Sequence, residues 1–177
     1  THIIEHQKIA ADTWQLTFHA PEMAARALPG QFFMLRIAGQ NDPLIGRALA
    51  MFDRHRDEAG NLIAISVVYT VKGRFTTAVA RRNPGDQIEV WGPLGNAFSI
   101  DPVDHLILVA GGVGQTPMLT YAAAALGREE FGAPYSSEKE NSCLPYMKGP
   151  FASKVTMCYG ARTKEQLAGV DKFKNIC

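Results

Sequence analysis

The sequence predicts a β + α/β chain: a six-stranded type of antiparallel barrel over residues 1–100, then a partial doubly wound α/β domain over residues 101–177. Three observations predict it. Short β-branched and aromatic runs fill the first hundred residues. The pattern changes near Asp101-Pro102. An apolar run then ends in the glycine turn AGGVGQTP (110–117).

The runs HIIEHQKIA, TWQLTFHA, GQFFMLRIA, NLIAISVVYTV and DQIEVWG are short, and several alternate in polarity, as half-buried strands do. Pro29-Gly30, Asn41-Asp42-Pro43, Gly60-Asn61 and Pro84-Gly85 separate them as turns. Strands at this spacing suggest a closed barrel. FTTAVARRN reads as one helical interruption, with Phe75, Ala78 and Val79 on a common face and a Pro-Gly stop behind them. Beyond Asp101, HLILVA is a continuous apolar run, expected of a parallel strand covered on both faces. PMLTYAAAALG follows as a helix ending at Gly127. KVTMCYGA is a second buried strand, and TKEQLAGVDKFK a second helix opening at Thr163. Residues 128–152 are polar and broken by Pro and Gly. At about 25 residues they far exceed the usual helix-to-strand loop, so an insertion is expected there.

Composition narrows the class. Of 177 residues, 46% are hydrophobic and 20% charged, ordinary for a globular chain, and the net charge of +1 gives no electrostatic case for nucleic acid or an acidic membrane. No apolar run approaches the ~20 residues that span a bilayer. Cys143, Cys158 and Cys177 form no CxxC, which argues against metal ligation by this chain alone. An odd number without a secretion signal suggests reduced thiols in a cytoplasmic protein. A start at Thr1 and an end at Cys177 suggest that either end has been cut.

Three stretches suit anions. In AGGVGQTP, Gly111, Gly112 and Gly114 let main chain approach a ligand, and the helix behind offers unpaired N–H groups. Thr116 is expected to cap that helix, with Pro117 at its first position. A pyrophosphate is the natural occupant, although Pro117 replaces the last glycine of the dinucleotide fingerprint and such turns also occur as bare architecture. In PLIGRALAMFD (43–53), Arg47 sits among apolar residues at a strand edge, where a guanidinium can clamp a phosphate. It can equally be a solvated strand residue. In VVYTVKGRFTTAV (67–79), a strand ends at Gly73, and Thr76 and Thr77 open a short helix, an anion site or an ordinary cap. GPLGNAF (92–98) closes a strand and brings Phe98 as a packing or stacking group.

The order PGQFFMLR (29–36), Arg47-x-x-Ala50, Tyr69-x-Val-x-Gly73-x-x-Thr76, GPLGNAF, AGGVGQTP and GAR (160–162) resembles the ferredoxin-reductase-like flavoproteins. Within them it is most similar to the electron-transfer subunits of type-B dihydroorotate dehydrogenase, over nearly the whole chain except 128–152. The resemblance implies FAD in the barrel. Arg47 matches the family arginine at the FAD phosphates, in the stretch continued by Ala48, Leu49 and Ala50. Ala50 stands where the family has a serine near flavin N5. Val68, Tyr69 and Thr70 match the strand beside the flavin and ribityl chain, and Gly73, Phe75 and Thr76 the pyrophosphate turn. Phe75 replaces a glycine there; if the site needs positive φ, that costs on the order of 1–3 kcal/mol.

The resemblance further implies NAD(H) as electron donor on Gly111, Gly112, Gly114 and Thr116. It implies electron transfer from NADH through FAD to a dihydroorotate dehydrogenase catalytic subunit in pyrimidine biosynthesis. The family's Cys-Gly-Pro turn and the four cysteines of its [2Fe–2S] cluster are not in this sequence, so a truncated or degenerate subunit is expected. Another NAD(P)H reductase subunit of the superfamily and a non-catalytic flavin-binding module remain as alternatives. Arg162 could meet a 2′-phosphate or stand as a surface residue, which leaves NAD versus NADP open. The five histidines show no ligand spacing.

Overall fold

A computed structural model describes residues 1–132 and 146–177. The N-terminal half is one antiparallel sheet of six strands: β1 (Ile3–Ala10), β2 (Thr13–His19), β3 (Phe32–Ile37), β4 (Arg47–Arg56), β5 (Leu62–Thr70) and β6 (Ile88–Leu94), in the order β1-β2-β5-β4-β3-β6. The two ends of that order meet. The Ile3 N–H donates to the Asp86 carbonyl at 3.0 Å, the Gly85 N–H to Ile3 at 2.8 Å and the Ile88 N–H to Thr1 at 2.9 Å. These bonds join the start of β1 to the turn entering β6 and close the sheet into a barrel at that end.

Alternation fills the barrel. Leu16 and Phe18 on β2 are wholly buried, and Phe18 meets Phe33 of β3 edge-on at 6.0 Å. Two short helices add side chains to the same core. The first, α1 (Pro21–Arg26), buries Ala24. It was not expected from sequence, because it spans under two turns, although Pro21 at its start and Arg26 in its last turn suit a helix. The second, α2 (Arg74–Val79), buries Phe75 and Val79, the face expected from their spacing.

The C-terminal half pairs β7 (Val103–Gly111) with β8 (Ala152–Gly160) in parallel, Val103 opposite Ala152 and Gly111 opposite Gly160. A 3₁₀ turn (Gly112–Gln115) and α3 (Met118–Ala125) follow β7. Two expectations are corrected here. β7 and β8 are covered on one face only: on β7 Leu108 is 5% exposed, but Ile107 is 57% and Val109 71% exposed, and on β8 Val155 is buried whereas Lys154 and Cys158 are exposed. The helix expected from Thr163 onward is a 3₁₀ turn (Lys164–Gln166) and then a separate α4 (Val170–Lys174). Gly169 lies between them in the left-handed region at φ 68°, which interrupts a right-handed helix. The expected insertion leaves α3 and returns through a Phe131–Met147 bridge to β8, and its middle, with Cys143, lies outside the described residues.

The C-terminal half docks on the outer face of the barrel. Phe52 and Val68 of the barrel form a second apolar cluster with Leu119 and Phe173. The Ala11 N–H donates to the Glu165 carbonyl at 2.8 Å, and Lys172 pairs with Asp53 at 2.5 Å. The Arg54 guanidinium is buried between the halves. It donates to the Ala24 carbonyl at 3.1 Å, the Glu129 carboxylate at 2.5 Å and the Glu130 carbonyl at 2.6 Å, and lies 3.8 Å over the Phe131 ring. Beside it runs a polar layer. The Ser66 hydroxyl, fully buried, meets Thr17 Oγ1 at 2.8 Å, Gln15 Nε2 at 3.2 Å and His55 Nε2 at 2.5 Å.

Burial pushes His55 below its ordinary value, outweighing the nearby Asp53 carboxylate; Lys172 adds to the lowering, while Glu5 and Glu129 oppose it. The folded chain therefore favours neutral His55, and the unfolded chain binds the proton more readily. Stability from this site is fully present above the ordinary histidine value of about 6.5 and falls as pH drops through it toward the lower folded value. The thermal midpoint is expected to fall between about pH 7.5 and 5, and His55→Gln to flatten that fall. An equally steep profile in the variant, measured by circular dichroism, would assign the effect elsewhere.

Candidate functional site

β4 changes partner partway along its length. Leu49 and Ala50 pair with Phe33 and Phe32 of β3, whereas Met51 and the residues beyond it pair with β5 from Val67 onward. A register shift between Met51 and Asp53 marks the bend. Arg47–Ala50 is thus paired on the β3 side, and Val68–Thr70 on the β2 side. Between these segments the two strands separate, leaving facing main-chain edges without a ladder. Such an opening accepts a flat group, and the small Ala48 and Ala50 add little bulk to it.

Arg47 stands at the head of this opening. It is exposed, and among the described residues its guanidinium makes a hydrogen bond only to the Gly46 carbonyl, at 3.3 Å, with no ion pair. An Arg free of a carboxylate partner can meet a phosphate bidentately. Across the opening, Tyr69 turns into the barrel. Its hydroxyl meets His6 Nε2 at 2.8 Å, while His6 Nδ1 meets the Arg82 carbonyl at 2.8 Å. A carbonyl can only accept, so Nδ1 carries the proton and the neutral imidazole accepts the Tyr69 hydroxyl at Nε2. Burial pushes the Tyr69 phenol well above its ordinary value, which keeps it a donor. Val68 points the other way, into the cluster with Leu119, and holds β5 against the C-terminal half.

Gly73, Phe75 and Thr76 form the turn into α2. Gly73 is its N-cap, and the Thr76 hydroxyl accepts the N–H groups of Lys72 at 2.9 Å and Gly73 at 3.1 Å. The hydroxyl is thus engaged in shaping the turn. The positive φ considered for Phe75 is not adopted: Asp12 is the non-glycine residue with positive φ among those described. Phe75 occupies a helical position with its ring in the barrel core, 3% exposed, so no backbone strain arises there.

The glycine turn lies at the carboxyl ends of β7 and β8, the place where open α/β sheets bind ligands. A crevice of about 850 Å³ runs there between the two halves, lined among others by Thr13, Thr70, Lys72, Gly111, Gly112 and Arg162. Among the described residues no Asp or Glu lines it, and Lys72 and Arg162 make it suited to an anion. A Cβ on Gly111, Gly112 or Gly114 would meet no protein atom within 4 Å, so this main chain faces open space. Gly112 has a left-handed φ of 53°. The cap differs from expectation: Thr116 is buried and its hydroxyl donates to the Val113 carbonyl at 2.6 Å, closing the 3₁₀ turn, while Pro117 takes the N-cap of α3. Lys72 and Gln115 were not singled out from sequence, though both sit inside motifs that were. Among the described residues there is no group of three or more potential metal ligands and no helix able to cross a membrane.

Removing the Phe75 ring is expected to cost about 3–5 kcal/mol of stability, as for other buried Phe truncations. Urea unfolding of Phe75→Ala measures it, and a loss below about 1 kcal/mol would show that the ring is not packed as described.

Residues 1–98 match the oxidoreductase FAD-binding domain family. The chain is 31% identical over 112 residues to the dihydroorotate dehydrogenase B (NAD(+)) electron transfer subunit of Desulforamulus reducens, covering 63% of this chain and 41% of that protein. To the homologous subunit of Thermotoga maritima it is 30% identical over 175 residues, 98% of this chain and 51% of the relative. The chain thus spans about half the length, or less, of the curated relatives it matches. A solved NADH-dependent reduced ferredoxin-NADP oxidoreductase superposes with a TM-score of 0.70 at 30% identity, over 99% of this chain and 53% of that one. Phthalate dioxygenase reductase shares the fold at a TM-score of 0.65 and 20% identity, over 98% and 46% of the respective chains.

Proposed function

Because the chain belongs to the oxidoreductase FAD-binding domain family, we propose that its barrel holds FAD between β4 and β5 and that the crevice at the glycine turn takes a pyridine dinucleotide. The chain then works as the flavin-bearing part of an electron-transfer subunit, passing electrons from NADH toward a dihydroorotate dehydrogenase catalytic subunit. The observation that carries this is the separation of β4 from β5 beside an Arg47 that has no ion-pair partner among the described residues.

Each residue has a task derived from its place. Arg47 meets the FAD diphosphate with paired N–H groups, and Gly73, shaped by Thr76, brings the start of α2 toward the same charge. Ala48, Leu49 and Ala50 offer main chain to the flavin edge. With no hydroxyl at Ala50, a main-chain N–H or water serves the N5 region, a difference of roughly 0.5–1.5 kcal/mol. Val68, Tyr69 and Thr70 form the opposite wall; the buried Tyr69–His6 bond fixes the strand, and Thr70 also lines the crevice. Gly111, Gly112 and Gly114 let main chain approach the dinucleotide pyrophosphate, and Lys72 and Arg162 supply positive charge. FAD, when bound there, would supply the chemistry of hydride acceptance from a reduced nicotinamide.

The bare face of β7 favours a second reading, a flavin-binding module that needs further protein to oxidise NADH. Anaerobic NADH separates the two, since bleaching of the bound flavin requires a working dinucleotide site.

FAD titration, followed by flavin fluorescence, tests the proposal. Arg47→Leu is expected to weaken FAD binding by about 10- to 100-fold, as for loss of charge-assisted bonds, and Arg47→Lys by less. Undiminished binding by Arg47→Leu would remove the phosphate role.

A further inference from the structure

Trp91 of β6, opposite Met34 of β3, keeps 44% of its surface exposed. It is not an isolated apolar residue in water. The two residues before Gly46 are exposed as well, Leu44 at 57% and Ile45 at 69%. The indole reaches that same loop. A Cβ placed on Gly46 would lie 3.0 Å from the ring atom Cη2 and 2.7 Å from the Leu35 carbonyl oxygen, so glycine alone lets the ring settle against this main chain. Gly46 is also the residue whose carbonyl accepts the Arg47 guanidinium, at 3.3 Å. An exposed indole and a guanidinium without an ion pair among the described residues thus meet at one residue of backbone.

The strand supplies a direction. With a diphosphate on Arg47 and the flavin edge along Ala48–Ala50, the adenosine end of the dinucleotide leaves the clamp on the other side, toward Gly46, Ile45 and Leu44. The loop is tied down there, because Asp42 pairs with Arg74, the first residue of α2. An adenine in that position finds apolar side chains and an indole ring. Stacking of a base on an aromatic ring uses the π-face and needs no hydrogen-bond partner. FMN stops at its single phosphate and has nothing to set on this patch. A protein surface seated there instead would leave the choice of flavin untouched.

We propose that Trp91 is the adenine platform of the flavin site, with Leu44 and Ile45 as its apolar rim, and that it sets the preference of this barrel for FAD over FMN. This rests on Arg47 meeting the FAD diphosphate. The isoalloxazine ring, ribityl chain and first phosphate are common to both cofactors, so the difference between their affinities measures the platform.

Titrations of the apo-chain with FAD and with FMN, followed by flavin fluorescence, test this in wild type, Trp91→Leu, Trp91→Phe and Ile45→Ser. Trp91→Leu is expected to bind FAD about tenfold more weakly and FMN unchanged, and Trp91→Phe to keep most of the FAD affinity. Ile45→Ser, at an exposed loop position, is expected to lose about threefold for FAD alone. Equal losses for both flavins in Trp91→Leu overturn the proposal, because the ring would then only support the sheet. Should Trp91→Leu fail to fold, Ile45→Ser decides, and unchanged FAD affinity there overturns it. If Arg47→Leu weakens both flavins while Trp91→Leu weakens neither, the phosphate clamp stands and the platform falls. A wild-type chain that binds neither flavin overturns both this proposal and the reading of the barrel.

Discussion

β4 pairs with β3 over Arg47–Ala50 and with β5 only from Met51 onward, and because one twisted strand cannot serve both neighbours along its full length, the barrel wall opens between β4 and β5. The opening is affordable because the sheet is closed elsewhere, at Thr1–Ile3 against Gly85–Ile88. Unpaired ladder edges face each other at this opening, and Arg47 marks its rim. The turn into α2 depends on the same arrangement, since Val68–Thr70 must leave β4 before the chain can turn at Gly73.

The relation between the halves rests on apolar contact and on a few polar links, Arg54 to Glu129 and Glu130, Lys172 to Asp53 and Ala11 to Glu165. Phe52 and Val68 against Leu119 and Phe173 supply non-directional burial. Arg54 makes the docking specific, since its buried guanidinium loses Glu129 and the Glu130 carbonyl if the halves slip. This fixes β5 against the glycine turn. It places the β4–β5 opening and the crevice on opposite sides of one short piece of strand, Val68–Thr70.

Charge serves the same geometry. A net charge of +1 carries no long-range message, yet Arg47, Lys72 and Arg162 lie where no carboxylate lines the crevice and none pairs with Arg47 among the described residues. Local placement, not the total, makes the sites suited to anions.

By itself the sequence determined five of the barrel strands and a strand edge at Arg47, the β7–turn–α3–β8 order and the motifs at Arg47, Gly73–Thr76 and Gly111–Thr116, because these rest on period-2 alternation and on turn chemistry, which are local. It did not yield α1, which is too short to show a period, or the break at Gly169, where one glycine in a left-handed turn outweighs the surrounding helix propensity. Only the tertiary structure decided that β4 parts from β5 at Ala50, that Phe75 packs inward without strain and that Thr116 closes its own turn. It alone decided that Gln115 is buried, its carboxamide without a partner among the described residues. These outcomes depend on which surfaces meet across the chain, and no window of neighbouring residues contains that information.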